Sequence, residues 1–119
     1  MRAGVLLSGD PVRDLTAYLD ALVSFLAHSL AGAVYRALIG EAQHDTAVAA
    51  LLSSGDILGE SAARVVEPAL SAGDSELSVE QATALLVGPP FFHILSGRSV
   101  ESVDTRRLAE EFTRVLGGR

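Results

Sequence analysis

The sequence predicts an all-α domain, a helical bundle of five to six helices with no β-sheet. Three observations point there. Apolar side chains recur at three- and four-residue spacings along most of the chain. Alternation of apolar and polar residues never persists long enough to build a half-buried strand. The periodic runs are punctuated by Asp-Pro, Ser-x-x-Gln and Gly, which start and stop helices.

Asp10-Pro11 opens the first helix, because Asp accepts from exposed backbone N–H groups and Pro is preset for the first helical position. Leu15, Leu19, Leu22, Leu26 and Leu30 follow at spacings of 4, 3, 4 and 4. Tyr18 and Phe25 flank that row, so the apolar face is wide enough to meet two neighbours. Gly32 admits a second helix over roughly 32–43, with Val34, Leu38 and Ala42 as its stripe and Tyr35 beside them. Asp45 caps a short helical continuation over 46–52, and Ser53-Ser54-Gly55-Asp56 reads as a turn. From Ile57 the helical period returns through Leu58, Ala62, Val65 and Ala69, with Val66 adjacent. Pro68 removes a backbone donor and crowds the carbonyl of Arg64, which predicts a kink or an early helix end.

After a loop at 72–75, Ser78 and Gln81 form a capping-box pattern that starts a helix reaching to about 97. Pro89 and Pro90 inside that apolar run predict a bend, eased by Gly88, and Gly97 suits a helix stop. The last helix is expected over about 100–116, with Leu108, Phe112 and Val115 along one side. The domain organisation is then a lead-in over 1–10 and one helical domain over 11–117.

Composition excludes several functions. Fifteen acidic residues face nine basic ones, all Arg, for a net charge of −6, and Arg106-Arg107 is the one basic pair. Phosphate neutralisation needs a positive field, so this chain alone is not expected to bind nucleic acid. A basic-patch membrane attachment is unexpected for the same reason. No apolar run approaches the ~18 residues of a membrane span, and the first ten residues hold too short an apolar run for a signal-peptide core. The expected compartment is the cytoplasm. Absence of Cys excludes disulfides, thiolate catalysis and sulfur-ligated zinc.

Little points to catalysis. No Ser sits in a strand–turn–helix elbow, and no Gly-rich phosphate loop occurs. His28, His44 and His93 lie on three segments, and no two are four residues apart, so no metal site and no cofactor is expected. Asp104, Glu110 and Glu111 read as a solvated helix face, paired through Arg106–Glu110 and Arg107–Glu111 at i, i+4. The chain is not expected to be an enzyme.

The run from Pro89 to Leu95 is the most informative. It is either a kinked core helix or one half of a helix pair in a dimer, and the dimer reading is preferred. Phe91 and Phe92 point about 100° apart on a helix, so one can face the core and the other a partner. The expected interface comprises Pro90, Phe91, Ile94, Leu95, Leu108, Phe112 and Val115.

Two stretches resemble the C-terminal domain of tetracycline-repressor-type (TetR) transcriptional regulators. One is Leu38-Ile39-Gly40-Glu41-Ala42-Gln43-His44-Asp45-Thr46 with the helix that follows; the other is Leu85-Leu86-Val87-Gly88-Pro89-Pro90-Phe91-Phe92-His93-Ile94-Leu95-Ser96-Gly97. The resemblance covers roughly residues 11–117. It implies an all-α domain of a bacterial regulator that forms a homodimer through its last two helices, packed as a four-helix bundle. It also implies a central pocket for a small lipophilic effector. The family's basic helix-turn-helix head precedes this domain, and with only ten residues before the first helix the head is expected to be lacking here. Helical-bundle pockets are mostly apolar with a few polar groups, and a bend frees space. The expected lining is Tyr18, Leu22, Phe25, His28, Tyr35, Val66, Phe92 and His93. The alternative is a purely structural dimerisation module with a filled core and no effector.

Overall fold

The computed structural model describes residues 7–54 and 57–117. Met1 to Leu6 of the lead-in, Gly55 and Asp56 of the expected turn, and Gly118 lie outside the described residues. Six α-helices follow in chain order: α1 (Pro11–His28), α2 (Leu30–Ala42), α3 (Thr46–Ser54), α4 (Ile57–Ala72), α5 (Val79–Leu95) and α6 (Thr105–Val115). Among the described residues a single 3₁₀ turn, Val100–Ser102, precedes α6. No strand occurs among the described residues, as the periodicity predicts.

Local chemistry fixes the helix ends. Asp10 accepts hydrogen bonds from the N–H groups of Val12 and Arg13, with Pro11 at the first helical position. Asp14, in the first turn of α1, is buried and accepts from both the N–H (2.9 Å) and the hydroxyl (2.7 Å) of Ser8. Asp45 accepts from the N–H groups of Ala47 and Val48 to start α3. The capping box of α5 is complete: the Gln81 N–H donates to Ser78 Oγ and the Ser78 N–H to Gln81 Oε1. Gly97, at φ +81°, closes α5 in a left-handed turn in which its N–H donates to the Ile94 carbonyl and that of Arg98 to the His93 carbonyl.

The corner between α1 and α2 turns by 82°. Ser29 serves both helices there. Its hydroxyl donates to the Phe25 carbonyl and accepts the Gly32 N–H at 2.9 Å. Gly32 is required by closeness, because a Cβ at that position would lie 1.7 Å from the Phe25 carbonyl oxygen.

α1 is the centre of the fold and packs against α2, α4, α5 and α6. It contributes Leu15, Tyr18, Leu19, Leu22, Val23 and Leu26 to the core. α4 adds Leu58, Ala62, Val65, Val66 and Ala69; α5 adds Ala82, Leu86 and Ile94; Ala109, Phe112 and Leu116 come from α6 and its end. Thr105 donates its hydroxyl to Asp20, and the Asp74 N–H donates to the Leu116 carbonyl, so both ends of α6 are tied down. The hairpin of α2 and α3 is different. Gly32 is its sole buried residue, and α3 rests chiefly on α2.

Several expectations are narrowed or corrected. Of the two readings of Pro68, the early helix end is excluded, because α4 continues to Ala72. α5 is one helix through Pro89 and Pro90, as its expected span requires, although each proline withholds an N–H from the carbonyl four residues back. Pro90 is fully buried, and that packing holds the helix together across the lost bonds. The last helix starts at Thr105, five residues later than expected, because Asp104 accepts the Arg107 N–H and sets the start there. The second helix begins two residues early, at Leu30, capped by Ser29. Arg106 pairs with Glu110 at 3.4 Å, but Glu111 turns to Arg114 at 2.6 Å rather than to Arg107. No single described helix is long and apolar enough to cross a membrane.

Candidate functional site

The eight residues expected to line a pocket separate into three groups. Tyr18, Leu22 and Val66 are completely buried in the core. The Tyr18 hydroxyl hydrogen-bonds to Ser61 Oγ at 3.1 Å, which satisfies its polar end inside. Phe25 and Tyr35 come together, with ring centroids 6.2 Å apart. His28 is exposed at the end of α1, while Phe92 is exposed and His93 bonds Ser102 at the far end of α5.

Phe91, expected at the interface, extends the aromatic row instead, with its ring 6.2 Å from that of Tyr35. Phe25, Tyr35 and Phe91 thereby link α1, α2 and α5 in one tilted series. Beyond Tyr35 and Phe91 opens a cleft of about 800 Å³ between the hairpin, the start of α4 and one face of α5. Leu58, Ala63, Val79 and Val87 supply its other apolar walls. Ser53, Glu60, Glu80 and Thr83 supply polar groups. That volume lies in the range of sites for small organic ligands. The α5 wall reads Val79, Thr83, Val87 and Phe91, a four-residue stripe beside the core stripe of Ala82, Leu86, Pro90 and Ile94. That spacing is the signal in the sequence for this wall; attention to aromatics alone misses it.

The opposite side of α5 meets α6. Pro90, Ile94 and Phe112 are buried within the chain's own core, so they have little area left to offer a partner. Leu95 is 47% exposed and Val115 59%, joined by Leu85 at 44% and Phe92 at 67%. Leu108 is half-buried, in a shallow groove of about 150 Å³ shared with Leu85, Pro89 and Val115. Arg98 lies over the Phe92 ring, 5.4 Å from its centroid. The geometry therefore separates two surfaces on one helix, a cleft on one flank and an uncovered apolar ridge on the other.

Electrostatics around α6 are those of a solvated face. The hydrogen bond and charge of Arg114 hold the Glu111 carboxyl below its ordinary range. Among the described residues no group of three or more His, Asp or Glu side chains is placed to hold a metal ion. His28, His44 and His93 stay on separate elements, and no Ser–His–acid arrangement forms around His93, whose partner Ser102 turns its own hydroxyl to the Ser99 carbonyl.

No curated protein and no solved structure matched the chain in comparison. The family model for the tetracyclin repressor-like C-terminal domain matches residues 7–112, from the start of the described chain to Phe112 of α6. This is a family of transcription-regulator domains, and the matched span holds the cleft and nearly all of the ridge. The chain therefore belongs to the tetracyclin repressor-like C-terminal domain family.

Proposed function

We propose that this domain is the effector-binding and dimerisation part of a TetR-type transcriptional regulator, working in the cytoplasm. The observation that carries the reading is the cleft of about 800 Å³, walled on one side by a hairpin that adds almost nothing to the core. A wall so weakly held can shift at small cost, and a ligand bridging Tyr35 and Phe91 would favour one arrangement of it. α5 carries the cleft wall and the ridge of Leu85, Phe92 and Leu95, so occupation of the cleft and packing of a second copy act on one helix. A homodimer burying that ridge against its twin, together with Val115 of α6, is the assembly supported by this surface.

Thermal denaturation in the presence of a lipophilic small-molecule library tests the effector. A ligand at 100 times its Kd adds about 2.7 kcal/mol. Tyr35→Ala is expected to abolish the shift. A library without a single hit would favour the purely structural module. Sedimentation at micromolar concentration is expected to give a dimer, and a monomer would remove the dimerisation half of the proposal.

A further inference from the structure

We infer that Tyr35 is a latch: its ring, set between Phe25 and Phe91, holds the α2–α3 hairpin as a flap beside the cleft, and without it the flap rotates open while the other helices stay folded. The latch belongs to the ligand-free domain, so it goes beyond the effector reading and is tested apart from it. α2 and α3 pack on each other, which lets the hairpin keep its own shape. Its attachment to the rest is thin. Of residues 30–54, Gly32 alone is buried, and Tyr35 is the one hydrophobic side chain packed against the core. The chain enters the hairpin at Ser29 and leaves it after Ser54, so rotation about a line through these two ends disturbs the fewest backbone angles. A contact resists that rotation better the farther it lies from the line. Measured along α2 from Ser29, Gly32 is roughly 4.5 Å out and Tyr35 roughly 9 Å. Tyr35 meets Phe25 of α1 and Phe91 of α5 with ring centroids 6.2 Å apart in each pair and planes tilted by 58° and 59°. Tilted rings at that separation attract beyond the area that they bury. Tyr35 and Phe91 both line the cleft, so parting them opens its wall. Leu30, Val34 and Leu51 are exposed with the flap in place, and its rotation strips little further packing from them.

Spin-label distances and hydrogen exchange test the latch on the 119-residue chain, whose lack of Cys lets labels be placed one pair at a time. Leu51→Cys with Glu67→Cys spans flap and α4, and Leu51→Cys with Arg107→Cys spans flap and α6. Glu67→Cys with Arg107→Cys reports on the scaffold alone, and all three sites are exposed. In the parent each pair is expected to give one dominant distance. Tyr35→Ala should broaden or lengthen both flap distances and leave the scaffold distance unchanged. It should also speed exchange of the amides in 30–54 about tenfold or more, the size of two lost ring pairs. Tyr35→Phe keeps the rings and should behave as the parent. Phe91→Ala should reproduce part of the Tyr35→Ala effect, and Val34→Ala, at an exposed position on the same helix, should leave both readouts unchanged. Flap distances and exchange that stay at parent values in Tyr35→Ala overturn the inference. Equal acceleration in every helix, or failure of that variant to fold, overturns it as well, because either places Tyr35 in the cooperative core. So does a parent already spread over many flap distances, since nothing then holds the flap. These measurements contain no ligand, so each of these failures leaves the effector reading to its own screen.

Discussion

Two regions of the molecule are built on opposite terms. The layer of α1, α4, α5 and α6 interlocks leucines, valines and small residues at or near zero exposure. The α2–α3 hairpin, of comparable apolar content, leaves Leu30, Val34 and Leu51 largely in solvent and buries Gly32 alone. Hydrophobic residues are present in both, so composition does not make the difference; what differs is whether a second element lies across the apolar stripe. The first region supplies stability, and the second is drawn from the low-stability end, where ligand-responsive parts of proteins lie.

The largest effect that sharpens this contrast is a pair of truncations. Leu22→Ala is expected to cost about 3 kcal/mol in urea denaturation, the transfer and cavity cost of a fully buried Leu. Leu51→Ala, at a side chain 64% exposed, should stay within about 0.5 kcal/mol. A cost at Leu51 that approaches that at Leu22 would erase the distinction. Next in size, Gly32→Ala forces a methyl against the Phe25 carbonyl and should cost about 2 kcal/mol. Hydrogen exchange on that variant should show the loss at the hairpin first, with α1 protection retained; uniform loss would mean that the hairpin unfolds with the rest.

Val115→Glu should weaken self-association about tenfold or more by sedimentation, near 1.4 kcal/mol, without lowering monomer stability comparably. An unchanged dimer would move the interface off the ridge. The smallest effect concerns acid. Burial alone would raise the carboxyl of Asp14, but the hydroxyl and N–H of Ser8, the Gly9 N–H and nearby Arg13 outweigh it, so its pKa falls below the ordinary 3.8. A carboxyl lowered by folding contributes stability above the unfolded value, and this is lost as pH falls through the folded value. Asp14→Asn should therefore flatten the stability profile below about pH 4, with little effect on the hairpin. A profile identical to the parent's would show that the Ser8 bonds are absent in solution.

Much of the fold was legible because it is written locally. Asp10-Pro11, Ser78 with Gln81, and Gly97 each act within five residues, and each does in the structure what the sequence predicts. The stripe from Leu15 to Leu26 likewise identifies its buried face by spacing alone. What depends on distant packing was not legible. Pro89 and Pro90 predict a bend, but how far the helix runs past them depends on packing, and with Pro90 fully buried α5 continues to Leu95. Spacing says that Phe91 and Phe92 diverge, but which one turns inward depends on where α5 sits relative to Tyr35. The cleft draws on residues from Tyr35 to Phe91 across four helices, and an aromatic count selects Tyr18 and Phe92, which the structure places in the core and in solvent.

The hydroxyl of Ser29 finishes one helix and begins another, so one side chain rivets the elbow between α1 and α2. Any swing of the hairpin must either turn about that rivet or shear it. An effector of the kind proposed would have two ways to move this wall, a hinge that keeps the angle's anchor and an unhooking that gives it up. The infrared or NMR signature of one serine side chain distinguishes them.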